Sequence, residues 1–163
     1  MSSSALPGTT SAKPVVRPAI ASGVHTSVTA CAAVTKADVV QVLGLAVDNG
    51  EEQGSKSAST CTYSTPHKLV SVTVQRLQKK LDLQEEFAAL KASIPDSSIR
   101  EAVGLGDCAF FLDIAGAGTQ LYVINGDSDF LMVSILGFGE APQVSPAAEA
   151  LVRKAMGRLK IRL

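Results

Sequence analysis

The stretch CAFFLDIAGAGTQLYVINGDSDFLMVSIL, residues 108–136, decides the fold. It splits into three apolar runs, Cys108 to Ile114, Thr119 to Ile124 and Asp129 to Leu136. Gly116 and Gly118 punctuate the first junction and Asn125-Gly126 the second, and an Asn-Gly pair between apolar runs is a strong signal for a tight hairpin. The runs are therefore expected as three consecutive antiparallel strands. Phe130 to Leu136 is apolar on both faces except at Ser134, which predicts a central strand covered on both sides.

Upstream, Val70, Val72 and Val74 alternate with Ser71, Thr73 and Gln75, the period-two pattern of a half-buried strand over Leu69 to Leu77. Thr60 to Ser64 precedes it as a shorter strand, with Pro66 and His67 in the turn between. The polar, Gly-containing segment Asp48 to Ser59 is expected as an exposed loop.

Three helices fit around these strands. Thr35 followed by Asp38 has the spacing of a capping box, and Lys36 to Leu43 ends at Gly44. Leu83, Phe87, Leu90 and Ile94 fall on one face of a helix from about Leu81, stopped by Pro95. Ser145 as N-cap, Pro146 at the first helical position and Glu149 in the first turn predict a last helix, with Ala148, Leu151, Val152, Ala155 and Leu159 as its buried stripe. The order α-β-β-α-β-β-β-α, dominated by hairpins, implies an α+β domain in which helices pack an antiparallel sheet.

The chain has 163 residues, a length suited to one domain, and 46% are hydrophobic against 18% charged, enough apolar area to fold. Residues 1–30 are rich in Ser, Thr, Pro and Ala and read as a flexible arm, with the domain at 31–163. A Ser-rich, acid-free start also fits an organellar transit peptide, a spacer being the plainer reading. No long apolar run encodes a transmembrane helix, and no signal peptide is evident in the first thirty residues.

With no Trp and 4% aromatic residues, base stacking has little to work with, and a net charge of zero recruits no polyanion, so nucleic acid is not an expected partner. The charge is nevertheless segregated. No acid precedes Asp38, and Arg153, Lys154, Arg158, Lys160 and Arg162 form an acid-free basic end, a candidate contact for anionic lipid or a protein partner. The same residues suit the negative end of a helix dipole.

Chemistry-bearing residues are sparse. Cys31, Cys61 and Cys108 allow three single disulfides, or three reduced thiols in a cytosolic protein, and their spacing does not choose among these; none forms a CxxC metal or redox site. Cys108 beside Asp107 suggests a nucleophile only if His67 or His25 serves as its base; its place in the strand alternation favours a buried, inert thiol. Gly104-Leu-Gly106-Asp107 lacks the glycines and the following helix of a phosphate loop, so a turn entering the sheet is expected. Asp48, Glu51 and Glu52, and likewise Asp127 and Asp129, do not follow a calcium-loop pattern and read as solvated charge. Val28-Thr29-Ala30-Cys31 only loosely resembles a lipobox, since no apolar run precedes it. No catalytic group, metal or cofactor is implied.

Taken together, Cys31, the helix Thr35-Lys-Ala-Asp-Val-Val-Gln-Val-Leu-Gly44, Cys61-Thr-Tyr63 and Val103-Gly-Leu-Gly-Asp107 before an aromatic strand and hairpin resemble the small exported lipoprotein domains of bacteria, of which the mycobacterial LpqN-type proteins are an example. The resemblance spans roughly Cys31 to the C-terminus. It implies a Mog1/PsbP-like α+β fold, an extracytoplasmic location and a Cys31–Cys61 disulfide, and it carries over no catalytic residue. The chain departs from the pattern in Cys108 and in its start. The expected function is a non-enzymatic binding or interaction module, the alternative a structural subunit whose arm orders on a neighbouring subunit.

Overall fold

The computed structural model describes residues 28–55, 57–76, 83–95, 98–126 and 128–161, with the side chains of Leu83, Gln84, Glu86 and Phe87 outside that description. The arm up to residue 27, the start of the third helix at Leu81, and Leu77 also lie outside it. The elements in chain order are α1 (Ala30–Ala33), α2 (Lys36–Leu43), β1 (Glu51–Gly54), β2 (Ala58–Thr65), β3 (Lys68–Arg76), α3 (Leu83–Ser93), β4 (Ile99–Glu101), β5 (Cys108–Ile114), β6 (Gly118–Asn125), β7 (Asp129–Leu136) and α4 (Ala141–Leu159).

All strands join one seven-stranded antiparallel sheet in the order β1-β2-β3-β7-β6-β5-β4. Two meanders, β1 to β3 and β4 to β7, meet where β3 pairs with β7, Val72 opposite Val133. The expected central strand, β7, does lie in the middle of the sheet. The mixed helix and antiparallel-sheet class is as read from the sequence, and three short elements are added to the expected order: α1, β1 and β4.

Register assigns the two faces. Cys61, Val72, Val133, Leu121 and Phe111 form one row across β2, β3, β7, β6 and β5, and each is buried. This face packs under α1, α2 and α4, whose own stripe of Val144, Ala148, Leu151, Val152, Ala155 and Met156 recurs every three or four residues. Val28 and Ala30 join the same core, so chain packing begins ahead of Cys31. The opposite row runs through Thr60, Thr73, Met132 and Tyr122, all half-buried, to Phe110, which is buried.

The last helix starts earlier than its sequence suggests. Ser145 is not its N-cap and Pro146 is not its first residue; both lie inside α4. Glu140 is the N-cap, forming a reciprocal capping box with Gln143, and Pro142 sits in the first turn, where its missing N–H is no loss. Ser145 Oγ donates to Ala141 O at 2.6 Å and accepts from Arg100 at 2.6 Å, so its hydroxyl serves the packing of α4 against β4.

α2 follows its capping signals closely. Thr35 accepts from the Asp38 amide at 3.4 Å, Asp38 accepts from the Thr35 amide at 2.8 Å, and Gly44 ends the helix at φ 69°.

Candidate functional site

The two ends of the sheet carry different chemistry. At the β1–β2 end the structure is locked. Cys31 of α1 and Cys61 of β2 are joined by a disulfide. The Ala30 amide donates to Ser59 Oγ at 2.8 Å, and the Tyr63 hydroxyl donates to Val34 O at 2.5 Å, satisfying groups at the two ends of α1. Burial raises the Tyr63 pKa, which keeps the hydroxyl protonated as a donor.

Asp38 completes that lock. Its carboxylate accepts from Arg158 at 2.5 and 3.1 Å, from the Thr35 hydroxyl at 2.7 Å, and lies 3.4 Å from Lys154 Nζ. The Arg158 guanidinium holds the Asp38 carboxyl far below the usual carboxylate range, against the opposing effect of burial. Arg158 also donates to Ala33 O at 2.8 Å, so one side chain links α4, α2 and α1.

The basic residues singled out from the sequence are accordingly engaged in the fold. Arg153 reaches Gly104 O at 3.5 Å, Lys154 donates to Gln41 Oε1 at 3.2 Å, and Arg158 clasps Asp38. Lys160 is exposed and occupies the left-handed C-cap of α4, and Arg162 lies outside the described residues.

At the opposite end the chain leaves a cavity of about 320 Å³. Ile99 and Glu101 of β4, Cys108 and Phe110 of β5, Lys91 of α3 and the loop of residues 102–107 line it. Gly104 and Gly106 turn that loop with positive φ of 75° and 57°; a Cβ on Gly106 would lie 2.6 Å from Ile124 O, so only glycine lets the loop approach β6 this closely. Asp107 fixes its far end by accepting from the Gly126 amide at 2.6 Å. The glycine segment is thus a turn entering the sheet.

Phe110 lines the cavity and stacks on Tyr122, ring centroids 4.7 Å apart and planes within 3°. Tyr122 in turn meets Phe130 at 6.1 Å and donates to Gln120 Oε1 at 2.9 Å. The cavity therefore opens beside an uncharged patch of the second sheet face, where Thr60 and Thr73 share a hydrogen bond of 2.9 Å and Gln120 reaches Ser134 at 3.4 Å.

Cys108 is half-buried and lines this cavity, so it is less enclosed than the strand alternation suggests. Burial raises its thiol pKa; nearby Lys91 opposes the shift, and Glu101 and Asp107 reinforce it. Burial thus disfavours the thiolate, the nucleophilic form of the side chain. His67 sits in the β2–β3 turn with φ 69°, and the other histidine, His25, lies outside the described residues.

Behind the cavity a second polar cluster ties β4 to β5. Arg100 donates to both oxygens of Asp113 and stacks over the Phe111 ring at 4.6 Å, while Thr119 donates to Asp113 at 2.9 Å. Arg100 lowers the Asp113 pKa and its own is raised in return. Among the described residues no group of three His, Cys, Asp or Glu side chains could hold a metal ion, and no helix is long and apolar enough to cross a membrane. No buried side-chain nitrogen or oxygen among them lacks a hydrogen-bond partner.

Comparison of the chain with protein-family models, with curated proteins and with solved structures found no match. What the geometry defines is a class: a disulfide-bonded α+β domain with a helix-covered sheet face and, on its other face, a cavity beside a stacked aromatic pair.

Proposed function

We propose that the protein is a non-enzymatic, extracytoplasmic binding module whose cavity between α3, β4 and β5 receives a small ligand. The observation that carries this reading is the cavity itself, whose volume of about 320 Å³ and lining by Phe110, stacked on Tyr122, suit a small molecule. The raised thiol pKa of Cys108 argues for binding over nucleophilic chemistry. The disulfide supports an oxidising compartment, since such bonds persist outside the cytosol. The same location follows from the likeness of the sequence to small exported lipoprotein domains, and a Mog1/PsbP-like arrangement of the sheet belongs to this reading.

The test compares the wild-type protein with Cys108→Trp, which fills the cavity from β5. Each is purified from its native source without denaturant, checked for folding by its urea midpoint, then extracted and analysed by mass spectrometry. A small molecule released near one equivalent from wild type, and at least tenfold less from the folded variant, is the expected result. Equal release from both, or none from either, overturns the proposal.

A further inference from the structure

A second surface, separate from the cavity, lies at the other edge of the sheet. β1 is the last strand in the order and pairs with β2 alone, so the main-chain groups on its outer side have no strand partner among the described residues. The extended edge is longer than β1 itself, because the Asp48 amide donates to Ser64 O at 2.9 Å, and residues 48–54 are all exposed. Proteins usually blunt such an edge with lysine, proline or a bulge. Residues 45–55, LAVDNGEEQGS, contain no lysine, arginine or proline, and their charge comes from Asp48, Glu51 and Glu52. One cation reaches the start of the edge from α2, where Lys36 donates to Asn49 Oδ1 at 3.0 Å, leaving Glu51 and Glu52 further along it.

The edge is also held rigidly from behind. Gly50 approaches the disulfide so closely that a Cβ would lie 2.7 Å from Cys61 Sγ and 2.7 Å from the Tyr63 ring. An edge fixed in strand geometry gives up little conformational entropy when it gains a partner. Register sets the charge pattern: Glu52 opposite Cys61 projects to the face under α1, α2 and α4, and Glu51 opposite Thr62 to the second face. An incoming strand therefore meets a carboxylate on each face at adjacent positions. Glu51 has no hydrogen bond or ion pair among the described residues, and Glu52 already accepts from the Cys31 amide through Oε1 at 3.4 Å, with its second oxygen left for the cation. A second copy of the same edge would set glutamate against glutamate, which disfavours self-pairing.

We propose that the exposed acidic edge of β1 is a docking strand for an extended segment of a partner protein that carries two consecutive basic residues, added to the sheet by main-chain hydrogen bonds. Backbone pairing supplies the geometry, and the two cations, one per face, supply the selection.

The probe is a blocked peptide, acetyl-Thr-Val-Lys-Lys-Val-Thr-amide, titrated into the full chain and followed by amide hydrogen exchange and nuclear magnetic resonance shifts. Protection of amides within residues 48–54 is expected, and binding should weaken at least tenfold for the double variant Glu51→Lys, Glu52→Lys. A peptide in which proline replaces each valine keeps the charge and loses the ladder, and it too should bind at least tenfold more weakly. The acidic peptide with Glu-Glu in place of Lys-Lys should leave the exchange unchanged. If the proline peptide binds as well as its parent, or if protection falls outside residues 48–54, the proposal fails. The cavity takes no part in this readout.

Discussion

The two ends of the sheet solve the problem of finishing a sheet in opposite ways. At the β1–β2 end, α1 is tied down by a covalent bond, by Ser59 and Tyr63, and by Arg158, which donates to Ala33 O while it clasps Asp38 of α2, whose side chain is 8% exposed. At the β4–β5 end the comparable ion pair is Arg100 with Asp113, whose arginine is as exposed as Arg158, 41% against 39%, but whose carboxylate is 22% exposed, and the space beside it stays open as the cavity. Coulomb attraction is the same law in both places, but solvent screening discounts the second pair. The contrast teaches where this fold concentrates its stability and where it leaves room for a ligand.

The sharpest way to break the contrast is to remove the disulfide. Cys61→Ala should lower unfolding free energy by about 3 to 4 kcal/mol in the chain-entropy model for a loop of this length. Urea unfolding of wild type with and without reductant should reproduce most of that loss, whereas an unchanged midpoint would assign the rigidity of α1 to its other contacts. A smaller effect, about 2 kcal/mol, is expected for Arg158→Met, because it strands Asp38 in a site built for an ion pair that solvent partly reaches.

That second variant also has a pH signature. Asp38 titrates below its unfolded value of about 4, so its contribution is complete above that value and fades as pH falls further. The wild-type urea midpoint should therefore drop more steeply than that of Arg158→Met between pH 5 and the acid limit of folding. Parallel curves would remove Asp38 from the account. The smallest effect, about 0.5 to 1 kcal/mol, belongs to Arg100→Met at the open end, reflecting the exposure of that pair. A loss equal to that of Arg158→Met would erase the distinction between the two ends.

Much of this architecture is legible in the sequence because the signals are local. The valines of β3, the Asn125-Gly126 turn and the Thr35–Asp38 box each fix an element within a few residues, and all are present as expected. β1 is different: Glu-Glu-Gln-Gly has no apolar residue to betray a strand, and it is extended because β2 offers it an unpaired edge. β4 is three residues long and equally silent. Ser145-Pro146 carries a strong start signal that tertiary structure overrides, since Arg100 recruits the serine hydroxyl and Glu140 caps the helix one turn earlier.

The candidate site was the least legible part. Its lining comes from α3, β4, the glycine loop and β5, and no spacing within the chain announces that Lys91 and Cys108 face the same space. The aromatic cluster had a sequence signal that can be read afterwards: Phe110, Tyr122 and Phe130 occupy the same face of three consecutive strands. The partners of the basic helix were equally hidden, because Asp38 and Arg158 are 120 residues apart.

The strand order has a consequence for how the molecule comes together. Within each meander every pair is formed by neighbours in sequence, through short connections such as the Pro66-His67 turn. Among the described residues only β3 with β7 joins distant strands, closing a span of 53 residues between Arg76 and Asp129. Closing a long loop costs chain entropy that a local hairpin does not, so this one seam governs the speed of assembly. Substitutions at Val72 or Val133 should therefore slow refolding more than equally destabilising changes at Tyr63, which makes the centre of the sheet the kinetic hinge of a chain whose thermodynamic anchor lies at its edge.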